Sequence, residues 1–148
     1  MKLETNLNGK TVTIELTEEQ LIEISKQTSK LIDYKQIISV KLACEVTGDD
    51  YDNLIKSCCG LPKDEAAFKQ LKVIRNAINP IGYRPNLKNV GEYKYYPYFK
   101  INGCVFSYYF TDYCITGTYV PSALSSIDND RAEFFGKTFI DLFEDLLT

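Results

Sequence analysis

The 148-residue chain carries 17 basic and 20 acidic side chains, with 45% hydrophobic and 25% charged residues; this is the size and make-up of one globular domain that buries a core without disulfide or metal staples. It contains no histidine, which excludes the usual general base, the commonest metal ligand and the Ser-His and Cys-His pairs of nucleophilic catalysis. Its formal net charge of −3 argues against a protein that coats duplex DNA, which needs a strongly basic face.

In chain order, the first element reads as a β-hairpin. Asn8-Gly9 favours a two-residue primed turn. That turn sets Leu7 opposite Lys10, Thr5 opposite Val12 and Leu3 opposite Ile14. Leu3, Leu7, Val12, Ile14 and Leu16 then share one face. Thr17 with Gln20 forms a capping-box pattern, so a helix is predicted from about Glu18 to Ile32, with Leu21, Ile24, Thr28, Leu31 and Ile32 as its apolar stripe. Ser39 caps a short helix ending near Gly48. Asp49 and Asp50 open another, which holds Tyr51, Leu54 and Ile55 and is broken by Gly60 and Pro62. Asp64 is the expected cap of a longer helix carrying Phe68, Leu71, Ile74, Ala77 and Ile78, ended by Asn79-Pro80.

Residues 79–92 are rich in Pro, Gly and Asn and read as a loop. The segment EYKYYPYFKINGCVFSYYFTDYCITGTYV follows, holding eight of the eleven tyrosines. It reads as a hairpin around Asn102-Gly103 or as a meander, with a third strand at Tyr113 to Val120. PSALSSIDND is a loop. Asp128 caps one closing helix with Ala132, Phe135, Phe139, Leu142, Phe143 and Leu146 on a wide apolar face. The predicted fold is therefore α+β, residues 1–148 in a single domain: an N-terminal β-hairpin, several helices, the tyrosine-rich antiparallel hairpin, and a C-terminal helix packed on the sheet.

The start, MKLETNLNGK, lacks the apolar core of a signal peptide, and no run approaches the roughly 18 apolar residues of a membrane span. Five cysteines, an odd number, with Cys58-Cys59 adjacent, read as reduced thiols of a cytoplasmic protein. No zinc spacing, phosphate loop or dinucleotide fingerprint is present. The carboxylates Asp49, Asp50 and Asp52, and Asp128 with Asp130, sit where helices begin and read as caps. Neither a catalytic residue nor a metal ligand nor a cofactor site is expected.

What remains is the tyrosine hairpin. A two-residue loop at Asn102-Gly103 puts Ile101 opposite Cys104, Phe99 opposite Phe106, Pro97 opposite Tyr108 and Tyr95 opposite Phe110, all on the apolar side. The other side interleaves Lys94, Tyr96, Tyr98 and Lys100 with Val105, Ser107, Tyr109 and Thr111. Residues 83–104 carry four basic side chains (Arg84, Lys88, Lys94, Lys100) against one acidic, Glu92. Such a face is either an ordinary solvated sheet surface stabilised by aromatic pairs, a stacking platform for a nucleotide or single-stranded nucleic acid, or a protein interface. As a platform, Tyr96, Tyr98 and Tyr109 stack, while Lys94, Lys100 and Arg84 hold phosphate. Pro97 disturbs the register, because this pairing places it where a ladder N–H is needed. Either the strand is an edge there, or a bulge intervenes that moves Tyr95 outward.

From about Ser39 onward, SVKLACEV, INPIGYRPN, EYKYYPYF and AEFFGKTFIDLFEDLL resemble an uncharacterised family of gut Bacteroidales and their tailed, crAss-like phages. Its members carry EYKYYPWF and AEYAGKQF; Tyr83 and Tyr98 stand here where the family pattern has tryptophan. The resemblance supplies no activity and implies a phage or mobile-element protein inside a bacterial cell. The resulting expectation is a non-catalytic accessory factor that holds a nucleotide or single strand on the hairpin face and sequesters a defence signal. The alternatives are a module that binds a host or phage protein or forms homo-oligomers through the same surface, and a histidine-free enzyme.

Overall fold

The structure is a computed structural model. It describes residues 2–7, 10–15, 17, 20, 33–86, 88–115 and 122–148. The chain divides into two compact units, residues 1–32 and 33–148.

The first unit holds β1 (Lys2–Leu7) and β2 (Lys10–Glu15), paired antiparallel with Leu3 opposite Ile14, Thr5 opposite Val12 and Leu7 opposite Lys10. This is the register that a two-residue Asn8-Gly9 loop dictates. The capping box also forms: the Gln20 N–H donates to Thr17 Oγ1 at 3.2 Å, and the Thr17 N–H to Gln20 Oε1 at 3.0 Å. The helix expected over 18–32 lies outside the described residues.

The second unit is α+β. Among its described residues are helices α1 (Val40–Thr47), α2 (Tyr51–Cys58) and α3 (Lys63–Ile78), strands β3 (Lys94–Asn102) and β4 (Val105–Cys114), then α4 (Asn129–Thr138) and α5 (Ile140–Leu147). Local chemistry accounts for most helix ends. Ser39 Oγ accepts the Leu42 N–H, and Gly48 closes α1 at φ 77°. Asp50 caps α2 through the Asn53 N–H, and Asp128 caps α4 through the Arg131 N–H. At α3 the expectation fails by two residues: Pro62 is the cap residue and supplies no side-chain bond, while Asp64 lies in the first turn with Glu65. Proline already fixes φ for helix entry, and the two carboxylates face the positive end of the helix dipole.

The closing segment is two helices rather than one. Phe139, at φ −114° and ψ 34°, separates α4 from α5. Phe139 and Phe143 enter the same core as Phe135, with Phe135 and Phe143 edge to face at 4.9 Å. Ile37, Ala43, Leu71, Ile74, Ile78 and Leu124 complete that core. Phe99 of β3 docks on it, its ring 4.8 Å from that of Phe143.

β3 and β4 form an antiparallel hairpin whose register differs from the expectation. The loop is Gly103-Cys104, flanked by the Asn102–Val105 pair. Gly103 stands at φ 63°, the positive value that the first position of a primed turn requires. Pairing runs Ile101–Phe106 and Phe99–Tyr108, then shifts so that Tyr98 faces Phe110, Pro97 faces Thr111 and Tyr95 faces Tyr113. Tyr109 is thereby left without a partner, as a bulge on β4. On the far edge of β3, Tyr95 exchanges both backbone hydrogen bonds with Ser126, at 3.0 and 2.7 Å. The N–H groups of Tyr95 and, two residues on, of position 97 therefore point away from β4. Proline occupies that position without costing the ladder a bond. Tyr113 and Cys114 belong to β4 itself; the rest of the expected third strand, 116–120, lies outside the described residues.

Candidate binding surface

The bulge decides which rings are open. Before it, Val105 and Ser107 lie on the face of Lys100; after it, Phe110 joins the face of Tyr98 instead of the core side. Tyr98 and Phe110 stack at 5.0 Å with 24° between their planes, and Tyr109 meets Phe110 edge-on at 5.1 Å. The Lys100 ammonium sits 4.2 Å from the centre of the Tyr109 ring. Tyr98, Val105, Tyr109 and Phe110 are all exposed, Val105 to 65% and Tyr109 to 55%. Of the six residues that the sequence nominates as a platform, Tyr98, Tyr109 and Lys100 are thus brought together in the open.

The other three are not. Lys94 has no exposed surface. Its ammonium donates to the carbonyl oxygens of Asn89 (3.0 Å), Glu92 (2.7 Å) and Ile115 (2.9 Å). It pins the 89–92 loop and the end of β4 to β3, so it holds backbone and not phosphate. Tyr96, paired with Asp112, is 6% exposed. Burial, then the Asp112 carboxylate, pushes its phenol upward. Alternation places both residues on the face of Tyr98, but alternation says nothing of a loop that folds over one end of that face.

Arg84 lies elsewhere, on a groove of about 390 Å³ lined by Lys72, Arg75, Asn76, Arg84, Pro85 and Ala123. Its guanidinium donates to Asn76 Oδ1 at 3.2 Å and to the Tyr83 carbonyl at 3.3 Å. Arg75, beside it, is 4% exposed.

A second group of rings, Tyr93, Tyr95 and Tyr113, sits near the other end of the hairpin with centroids 5.0 to 6.4 Å apart. Tyr93 and Tyr113 are exposed. The reading from sequence placed Val105 on the open face, where it is found, but missed Phe110 as part of that surface, and it missed Arg75. For Phe110 the signal existed: Pro97 clashed with the simple register. For Arg75 the signal was Lys72, Arg75 and Asn76 at the spacing of one helix face.

The remaining chemistry-bearing groups have structural work. Asp50 and Asp128 cap helices, and Asp49 Oδ2 accepts the Thr47 hydroxyl at 2.7 Å. None of the five cysteines is in a disulfide, and the Cys58 thiol donates to the Ala66 carbonyl. Among the described residues no three Cys, Asp or Glu side chains gather as a metal-ion cluster, and no helix is long and apolar enough to cross a membrane. No family model, no curated protein and no solved structure matches this chain.

Proposed function

We propose that the protein is a non-catalytic interaction module that docks another protein through the open face of the β3–β4 hairpin. The stacked Tyr98–Phe110 pair, standing exposed with Tyr109 edge-on against Phe110, carries this reading. Large rings held rigid by a sheet offer much contact area for little lost freedom, and they are enriched among the residues that dominate protein interfaces. A grouped apolar surface left open to water marks an interaction site more often than chance exposure does. Single-stranded nucleic acid is the less supported partner. Lys94 is spent on carbonyls, which leaves Lys100 as the cation on this face, and it already lies over the Tyr109 ring. In the phage or mobile-element setting implied by the sequence resemblance, an accessory factor that binds a host or phage protein fits such a surface.

A photoreactive phenylalanine analogue placed at Tyr98 tests the proposal in the producing cell. A discrete cross-linked adduct is expected from position 98 and none from the exposed Lys56 of α2. An adduct of twice 16.9 kDa would make the partner a second copy of the chain. Monomer alone from both positions overturns the reading. Low-salt retention on immobilised oligo-dT, lost in Lys100→Ala, would replace the protein partner by a nucleic acid.

A further inference from the structure

Helix α3 presents Lys72, Arg75 and Asn76 at positions i, i+3 and i+4, which stack on one helix face. Arg84, Pro85 and Ala123 line the same groove. Its volume of about 390 Å³ is that of a small-molecule site.

The charges in this groove are unbalanced. Arg75 is nearly inaccessible, yet among the described residues its hydrogen bonds go to neutral acceptors, Ala123 O at 2.7 Å and Tyr83 O at 3.1 Å. Among the described residues none of Lys72, Arg75 and Arg84 forms an ion pair with a carboxylate. Burial, and then the neighbouring Arg84, push the Arg75 guanidinium below its ordinary value. A buried guanidinium without a counter-charge is costly, and a second one beside it adds repulsion. An anion in the groove relieves both.

We infer that this groove binds a small phosphate-bearing molecule, its phosphoryl group held between Arg75 and Arg84 with Lys72 at the rim. Two guanidinium groups match the oxygens of a phosphoryl group in a way that a single carboxylate does not use fully. Among the described residues the lining has no aromatic ring, so the phosphoryl group is what these residues recognise, without a stacking grip on a base. The net charge of −3 argues against a long polyanion. The inference rests on different residues from the hairpin reading and stands apart from it.

Calorimetric titration at low ionic strength with inorganic phosphate, adenosine monophosphate and an oligo-dT strand provides the test. Saturable one-to-one binding of phosphate or the monoester is expected. The double variant Lys72→Gln/Arg84→Gln, both positions exposed, should keep the wild-type melting temperature and raise the dissociation constant about tenfold or more, the loss of two charge-assisted contacts. Tyr98→Ala/Phe110→Ala should bind phosphate as the wild type does. Absence of saturable binding by phosphate and monoester, binding by the oligonucleotide alone, or a double variant that binds as tightly as the wild type would each overturn the assignment.

Discussion

Gly136 of α4 lies directly beneath Pro97 of β3: a Cβ on Gly136 would overlap the proline ring and meet Tyr108 Cδ2 at 3.0 Å. The helix backbone therefore serves as the floor on which the hairpin rests, and the missing side chain sets how closely the two layers approach.

Gly136→Ala gauges that closeness. Alanine is the better helix former by about 1 kcal/mol, which acting alone would stabilise. The overlap with a rigid proline ring is larger, and overpacking of this kind costs about 1–3 kcal/mol. Net destabilisation in urea unfolding is the expected result, whereas a variant more stable than wild type would mean that the hairpin floats free of α4.

Lys94 and Lys100 lie six residues apart on the same strand and should respond very unequally to loss of charge. Lys94→Met deprives three backbone carbonyls of their shared donor and should cost roughly 2–4 kcal/mol. Lys100→Met removes an exposed ammonium and should stay within about 0.5 kcal/mol of wild type. Paired chemical-denaturation curves read the contrast directly.

Tyr83 gives the fold an alkaline limit. Burial, followed by the Glu92 charge, pushes its phenol from 10.0 up to about 12. Below pH 10 the phenol is neutral in folded and unfolded chains alike, and its contribution is complete. Between pH 10 and about 12 the unfolded chain loses the proton first, so stability falls as pH rises through that window. Because the ring is partly exposed, the loss stays well below the roughly 2.7 kcal/mol of two full units. Tyr83→Phe should flatten part of the decline in melting temperature across this range, and an unchanged decline would refute the assignment.

Asp128 ties two helices together. It caps α4 through the Arg131 N–H and pairs with the Arg131 guanidinium, whose Nε reaches the Ile78 carbonyl at the end of α3 (2.8 Å) and whose plane lies over Tyr34. Asp128→Ala should cost about 1 kcal/mol for the cap alone and more through the loosened arginine. Asp128→Asn should recover most of the cap component, as guanidinium chloride unfolding would reveal.

Much of this architecture is legible in the sequence because local chemistry decides it. Asn8-Gly9, Ser39, Gly48, Asp50, Asn79-Pro80 and Asp128 each announce a turn or a helix end whose cause lies within four residues. The errors arise where distant parts of the chain decide. Asn-Gly is a strong turn signal, yet the second hairpin turns one residue later, at Gly103-Cys104. There Phe99 must meet Phe143 and Pro97 must find an edge, and the bulge at Tyr109 meets both demands. Lys94 reads as a surface lysine until the 89–92 loop and Ile115 close over it. For the candidate sites, Tyr98, Tyr109 and Lys100 follow from alternation. Arg75 and Arg84 become neighbours only through the path of the chain after α3.

The backbone pairing of Tyr95 with Ser126 and the proline two residues beyond it bear on solubility. An open strand edge flanked by exposed tyrosine, phenylalanine and valine is a template for the growth of fibres. Here one stretch of the β3 edge is occupied by Ser126, and the next outward-facing amide position, Pro97, has no hydrogen to offer. An incoming strand finds no continuous ladder there to extend. Along this stretch of β3 the hairpin thus keeps its rings available to a partner's side chains while refusing its backbone.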